Sequence, residues 1–345
     1  MYEVLVIGGG SIGERHLRCF LKTGRAAVAV CDSRTERLAD LSHRYSVMAT
    51  YPDFEKIDLD RFDAAVVCVP GNLHVPYAQR LADAGVHVLI EKPLSLSTEG
   101  IEDLARTVEE KKLTAAVAHV RRATDTARAM KAEIASGLVG EILDLTYLVG
   151  YDHRVARPDY KNTYAVHADQ GGGAIFDICS HIVNLVQWYL GPVRSVMAMA
   201  DHQQIEGTDV EDSVSLLLRF RNSNALANIH CVMWQANRVD QISVAGPQGS
   251  IICDGWNSRL GIFLRSRNDW TWTDIPKPKP DAKGQVDDPF IAQAGNFLDA
   301  VEGKAKPFCT LAEGAHTIEV CLAAHESVQR QGVVTLTEGE ELLSE

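Results

Sequence analysis

The chain is predicted to be α/β in two parts: a doubly wound parallel sheet in front, and an α+β domain with a large, mostly antiparallel sheet behind. Three observations predict this. Through residue 122, short β-rich runs alternate with helical patterns, which is the signature of strands joined by crossover helices. Beyond residue 190, longer alternating strands follow one another with hairpin-type breaks at 221–224 and 246–249, as an antiparallel sheet requires. At 345 residues the chain is also too long for one ordinary core. The expected domains are 1–122 and 123–345.

The first strand is 2–7, and Gly8-Gly9-Gly10-Ser11-Ile12-Gly13 stands directly behind it, ahead of an amphipathic helix over 14–22. A second apolar run, 26–31, ends at Asp32, followed by Ser33 and Arg34. Strand, glycine turn, helix and acid at this offset make a dinucleotide-binding fingerprint of the Rossmann type. Gly8 makes the turn, Gly10 lets the backbone approach a pyrophosphate, and Ser11 and Ile12 open the helix whose free N–H groups face it. Gly13 brings the helix close to the sheet. Asp32 can accept from both ribose hydroxyls and repels a 2′-phosphate, so NAD is the expected cofactor. Ser33 and Arg34 supply the opposite chemistry, which leaves NADP open.

Further strands are expected at 64–69, 87–90 and 115–118. Ligands of such a sheet bind at the carboxyl ends of its strands. That rule makes the polar residues just after those strands, Asn72, His74, Glu91, Lys92 and Arg122 among them, candidates for the cofactor edge; the resemblance described below adds Val69 and Pro70. In Glu91-Lys92-Pro93 the proline cannot continue a ladder and restrains its predecessor, so Lys92 is held at the strand end.

The second domain is expected to open with a helix over 125–136, a glycine break at 137–140 and a strand at 142–150. A polar, aromatic-rich stretch, 151–170, leads to a helix over 173–190 that ends at Gly191-Pro192. Strands are expected at 193–200, 213–219, 225–234, 239–246, 250–254 and 260–264. Residues 277–283 read as a loop, helices over 289–301 and 311–330 close the domain, and 338–345 is an acidic end. Asp177 and His181, four apart, share a face of the 173–190 helix. Burying both is costly unless they pair or meet a ligand. A histidine of near-neutral pKa is the natural base for a hydroxyl proton while hydride leaves the same carbon.

Taken together, these motifs resemble the glucose-fructose oxidoreductase / inositol dehydrogenase / rhizopine catabolism (Gfo/Idh/MocA) family over essentially the whole chain. The resemblance rests on the glycine fingerprint, Val69-Pro70 with Asn72 and His74, Glu91-Lys92-Pro93, and Arg122. It continues through Gly171-Gly172-Gly173 with Asp177 and His181, and Val210-Glu211-Asp212. It implies a nicotinamide-dependent dehydrogenase acting on a sugar, polyol or sugar derivative, with Lys92, Asp177 and His181 as the catalytic set. One departure is Ala123, where an aromatic commonly follows the arginine. Residues 157–164 resemble members associated with cell-surface sugar synthesis, which makes Tyr160, Lys161, Tyr164 and His167 candidate substrate contacts. Two other classes stay open: an NAD-dependent glycosidase of the same family, and a non-enzymatic sensor of dinucleotide or sugar. A sensor has no need of a proton-transfer set, which counts against it.

A net charge of -12 argues against nucleic acid or an anionic membrane as partner, since both need clustered Lys and Arg. No apolar run approaches a membrane span, and the chain enters its first strand without a signal segment. The eight cysteines show no metal-like spacing and read as buried thiols in a reducing cytoplasm. His153, His167 and Asp169 lack tight ligand spacing; contacts to substrate or solvent are expected there, and no metal. The open face of the second sheet is expected to join copies into a homodimer or homotetramer. Trp234, Trp256, Trp270 and Trp272 are assigned to that sheet or interface.

Overall fold

A computed structural model describes residues 1–280 and 284–336. The last residues of the 277–283 loop and the acidic end at 338–345 lie outside the described residues. Among the described residues the chain forms two compact units, one of 1–123 with 278–315, the other of 124–277 with 316–336.

In the first unit the strands are β1 (Tyr2–Ile7), β2 (Ala26–Cys31), β3 (Val47–Tyr51), β4 (Ala64–Val67), β5 (His87–Ile90) and β6 (Ala115–Val117). They pair in parallel in the order β3-β2-β1-β4-β5-β6. This is the doubly wound order, and its switch point lies between β1 and β4, where a crevice opens at the carboxyl ends. The helices between are α1 (Ser11–Lys22), α2 (Thr35–Arg44), α3 (His74–Asp83) and α4 (Ile101–Glu110). β1, β2 and β4 are buried almost throughout, as a sheet covered on both faces requires. β3 is absent from the sequence reading: Val47-Met48-Ala49-Thr50-Tyr51 is half-buried at the sheet edge and lacks a strong apolar run.

The helix expected over 289–301 forms as α8 (Asp288–Val301), but it belongs to this first unit. Its Ala294, Phe297 and Leu298 join Val4, Val28 and Phe20 in one core. Asp287, just ahead of it, holds α1 through Arg18 (2.7 and 2.8 Å) and Lys22 (2.7 Å). The sequence shows that α8 is amphipathic but not which sheet it covers.

The second unit is built on nine strands in the order β14-β13-β12-β11-β7-β10-β9-β8-β15. They are β7 (Asp144–Asp152), β8 (Val193–Asp201), β9 (Ser213–Phe220), β10 (Leu226–Val232), β11 (Trp234–Gly246), β12 (Gly249–Asp254), β13 (Arg259–Leu264), β14 (Asp269–Asp274) and β15 (Val334–Thr335). All neighbours are antiparallel except β10 and β7. The expected strand 225–234 divides at Met233, and Trp234 begins β11, which shifts register before Val239. Alternation is clear: in β8 and β9, Val196, Ala198, Leu216 and Leu218 are buried while Met197, Met199 and Leu217 are exposed.

The helices here are α5 (Asp125–Ala135), the single turn α6 (His153–Ala156), α7 (Ser180–Leu190) and α9 (Leu311–Arg330). The expected continuous helix over 173–190 is instead a π-helical turn, Ile175–Cys179, that runs into α7. Buried bonds tie α7 to α9 (Asn184 Nδ2 to Thr317 Oγ1, 3.0 Å), and Ser327 of α9 accepts from the Ala198 N–H of β8 at 2.8 Å.

Candidate active site

In the first unit the glycine turn is shaped by close approach. Gly8 has φ +95, and a Cβ there would lie 2.5 Å from the Cys68 carbonyl oxygen. A Cβ on Gly13 would lie 1.8 Å from the carbonyl oxygen of Gly8, so the helix meets the turn with no room for a side chain. Gly10 differs: nothing lies within 4 Å of where its Cβ would stand. Free space beside a helix N-terminus is what a pyrophosphate needs. Ser11 is exposed and Ile12 half-buried at the same place.

Asp32 is 8% exposed, and its carboxylate accepts from Gly9 N–H at 2.8 Å, tying the second strand to the turn. It also accepts from the backbone N–H and the guanidinium of Arg34, each at 2.9 Å. The Arg34 hydrogen bonds hold its carboxyl down at about 2, despite partial burial. Arg34 thus lies across the acid expected to take the ribose, while Ser33 stays exposed.

At the carboxyl edge, Val69 is half-buried and Pro70 and Asn72 are exposed. His74 is buried, with Nδ1 at 2.7 Å from Pro93 O and Nε2 at 2.8 Å from Val69 O. Glu91 is buried, bonded to His16 Nε2 at 2.7 Å and to the Lys92 backbone N–H at 2.9 Å. Lys92 itself is half-buried, and its bond to Pro93 is cis. Burial, with the Arg122 and Lys92 charges, holds His119 far below the ordinary histidine value. Arg122 is 1% exposed and donates to Phe308 O (2.9 Å) and Glu313 Oε1 (2.6 Å), so it anchors the returning 278–315 segment.

In the second unit, Gly172 and Gly173 of the run Gly171-Gly172-Gly173 lie hard against other parts of the chain. A Cβ on Gly172 would lie 2.6 Å from Tyr164 O, and one on Gly173 (φ +91) would lie 2.6 Å from the Glu211 carboxylate. That carboxylate accepts from Ile175 N–H at 2.8 Å and so holds the start of the π-helical turn. The same approach brings Tyr164 to the turn, where its hydroxyl donates to Asp177 Oδ1 at 2.7 Å. Asp177 and His181 are both half-buried at the junction of the π-helical turn and α7. Single π-helical turns inside helices are frequent at functional sites.

Tyr160 is buried, its hydroxyl donating to Glu206 O at 3.1 Å, and the Lys161 amine lies 5.8 Å over its ring. His167 and Asp169 are exposed. His153, expected in a polar loop, is 2% exposed and its Nε2 has no partner among the described residues. Burial lowers its pKa, against the pull of the Asp177 charge and, less strongly, of Asp152 and Asp159. Among the described residues, no group of three or more His, Cys, Asp or Glu could hold a metal ion.

Three contributors escaped the sequence reading. His16 carries a signal, a histidine on the inward face of an amphipathic helix. Glu211 was visible only as part of a family motif. The burial of His153 has no local signal, because it depends on Tyr160 folding over it, with ring centroids 6.3 Å apart.

A glycine turn at a switch point, with open space at Gly10 and an acid at the end of the second strand, fits a nicotinamide dinucleotide: the protein is an NAD-binding oxidoreductase. Residues 2–119 match the model described as "Oxidoreductase family, NAD-binding Rossmann fold", and 127–252 match the GFO/IDH/MocA C-terminal domain. The chain belongs to the Gfo/Idh/MocA oxidoreductase family. It is 25% identical to a myo-inositol 2-dehydrogenase of Thermotoga maritima, over 96% of this chain and 98% of that one. It is 24% identical to a scyllo-inositol 2-dehydrogenase (NADP(+)) of Bacillus subtilis, over 88% and 87%. In fold it matches a levoglucosan dehydrogenase solved with NADH, at TM-score 0.87 and 21% identity, over 98% and 100%.

Proposed function

We propose that the protein moves a hydride between NAD and a hydroxyl or carbonyl carbon of a sugar, polyol or sugar derivative, with Lys92, Asp177 and His181 as the catalytic set. The carrying observation is Lys92, half-buried immediately past β5 at the carboxyl edge of the NAD-binding sheet. The inositol dehydrogenase relatives support the substrate class.

Bound NAD supplies the hydride acceptor; the turn from Gly8 to Gly13 and Asp32 would hold it, with Val69, Pro70, Asn72 and Glu91 along the nicotinamide side. His181 takes the hydroxyl proton. The Lys92 ammonium donates to the same oxygen and stabilises its developing negative charge. Asp177, oriented by Tyr164, accepts from neighbouring substrate hydroxyls. Tyr160, Lys161 and His167 are proposed as further substrate contacts.

The test is a panel of inositols, sugars, anhydrosugars and nucleotide sugars, followed by nicotinamide absorbance. Lys92→Ala and His181→Ala should each lower turnover on the best substrate by about 10²- to 10⁴-fold. NAD binding should stay nearly intact. Full turnover in both variants would overturn the catalytic set and raise the sensor reading. Cleavage of a glycoside without net absorbance change would favour the glycosidase instead.

We propose further that copies associate, as a homodimer or homotetramer, through the open sheet face. Leu148, Met197, Met199, Leu217 and Leu226 are exposed on that face, and Met197 stands across from Leu217 in the ladder. Light scattering showing a monomer at micromolar concentration would overturn this. All eight cysteines are buried free thiols, which supports a reducing compartment such as the cytoplasm. No helix among the described residues is long and apolar enough to cross a membrane.

A further inference from the structure

We propose that His16 and His74 are positioning residues for Lys92, one fixing the residue before it and the other the residue after it. The inference rests on the reading of Lys92 as a catalytic residue.

His16 is fully buried on α1, and its Nε2 lies 2.7 Å from Glu91 Oε1. The other oxygen of that carboxylate accepts the Lys92 backbone N–H at 2.9 Å. One carboxylate therefore links the helix behind the glycine turn to the main chain of Lys92. Burial pushes the Glu91 carboxyl up, but the His16 hydrogen bond and the neighbouring positive charges, Lys92 among them, bring it below the ordinary glutamate value. It is an anion, and it accepts at both oxygens.

On the far side, His74 from α3 is 2% exposed and spans two backbone carbonyls, Pro93 O at 2.7 Å and Val69 O at 2.8 Å. Burial holds its pKa below the ordinary histidine value, against the pull of the two carbonyl hydrogen bonds and of Glu91, so the neutral ring donates its one N–H to one of the two carbonyls. It thereby joins the segment after β4 to the segment after β5.

Packing alone does not account for these choices. A buried carboxylate with its hydrogen-bond partner contributes little net stability compared with apolar residues of the same volume. His16 Nδ1 has no partner among the described residues, so the ring makes no second polar contact that would justify a histidine there. Two buried histidines from two helices converge on three consecutive residues, and the middle one is the lysine. A long, flexible amine gains from a main chain that is fixed on both sides of it.

The test reads Lys92 directly. The full-length protein is treated with limiting acetic anhydride, and acetylation of Lys92 is measured by peptide mass spectrometry, with exposed Lys56 as internal control. His16→Phe keeps a ring but leaves Glu91 without its partner. The carboxyl then neutralises, and Lys92 loses a charge that favours its protonated form. His74→Phe releases Pro93. Each should raise the Lys92 rate about threefold or more relative to Lys56. His16→Gln and His74→Gln return a donor and should bring the rate back near that of the unaltered protein. An unchanged rate in folded Phe variants, or Gln variants as fast as Phe, overturns the proposal. If the Phe variants do not fold, the Gln variants decide: a rate near the unaltered one supports the donor role, and a threefold rise overturns it. Turnover is measured in parallel on the fastest panel substrate. A Lys92→Ala variant with full turnover would overturn the catalytic reading alone, whatever the acetylation shows. A loss of kcat at unchanged KM in His16→Phe supports both together.

Discussion

Gly8-Gly9-Gly10 in the first unit and Gly171-Gly172-Gly173 in the second are the same three letters in different surroundings. At Gly10 the space a side chain would take is empty, whereas at Gly172 and Gly173 it is filled by the Tyr164 and Ala165 carbonyls and by the Glu211 carboxylate. The first run keeps a place for a ligand. The second lets the protein approach itself, and the approach sets Tyr164 against Asp177 and Glu211 against the π-helical turn. A glycine run is thus evidence of close approach, and only the surrounding atoms say whether the approaching group belongs to the chain.

Alanine substitutions break that comparison in opposite ways. Gly173→Ala puts a Cβ into the Glu211 carboxylate at a φ of +91, so the loss of stability should be large, about 2–4 kcal/mol. Thermal unfolding checks it, and NAD affinity in the folded fraction should hardly change. Gly10→Ala meets no protein atom and has an extended backbone, φ -63 and ψ -168, that alanine adopts. Its melting point should stay near that of the unaltered protein. Its NAD affinity should fall about tenfold or more, equivalent to about 1.4 kcal/mol, on fluorescence titration. A stable Gly10→Ala that binds NAD normally would remove the pyrophosphate from that space.

The same contrast explains what the sequence could disclose. The parallel sheet was legible because β1, β2, β4 and β5 are short apolar runs punctuated by glycine or proline, and Asp32 and Lys92 stand at strand ends where polarity is unexpected. The antiparallel sheet was legible from alternation such as that of β8 and β9. Contacts made across long sequence distance were not. The return of α8 to the first unit depends on Asp287 meeting Arg18, a separation of 269 residues, and α8 looks the same in either setting. The pairing of His16 with Glu91 spans 75 residues, and neither residue announces the other. The π-helical turn escaped because it shares its apolar spacing with an α-helix, and its cause, Glu211 at Ile175, lies 36 residues on.

Cofactor choice sharpens the account of the open turn. Asp32 is bound by Arg34 through both guanidinium and backbone, so a ribose entering the site competes with Arg34 for the carboxylate. Asp32→Ser removes the acid and leaves the guanidinium to meet a 2′-phosphate. Preference should move toward NADP by about tenfold, roughly 1.4 kcal/mol, in paired titrations of the two cofactors. Tighter binding of NADP by the unaltered protein would sink the NAD assignment from the outset.

The smallest effect concerns how each unit is held, by charge at Asp287 in the first and by backbone approach at Gly172 and Gly173 in the second. Hydrogen bonds from Arg18, then Lys22, hold the Asp287 carboxyl down at about 2, below the ordinary value of 3.8. A carboxyl lowered in the folded state binds its proton more readily when unfolded. Its contribution is therefore complete above about pH 4, fades as pH falls toward about 2, and is gone below that. Solvent screening at Lys22 keeps it to about 1 kcal/mol. Asp287→Asn should thus melt lower than the unaltered protein at about pH 6, and the two melting points should converge near about pH 2.5. A gap that persists in acid would mean that Asp287 holds α8 through shape rather than charge. Gly173→Ala, whose cost comes from its positive φ as well as from crowding, should keep most of its deficit at both pH values.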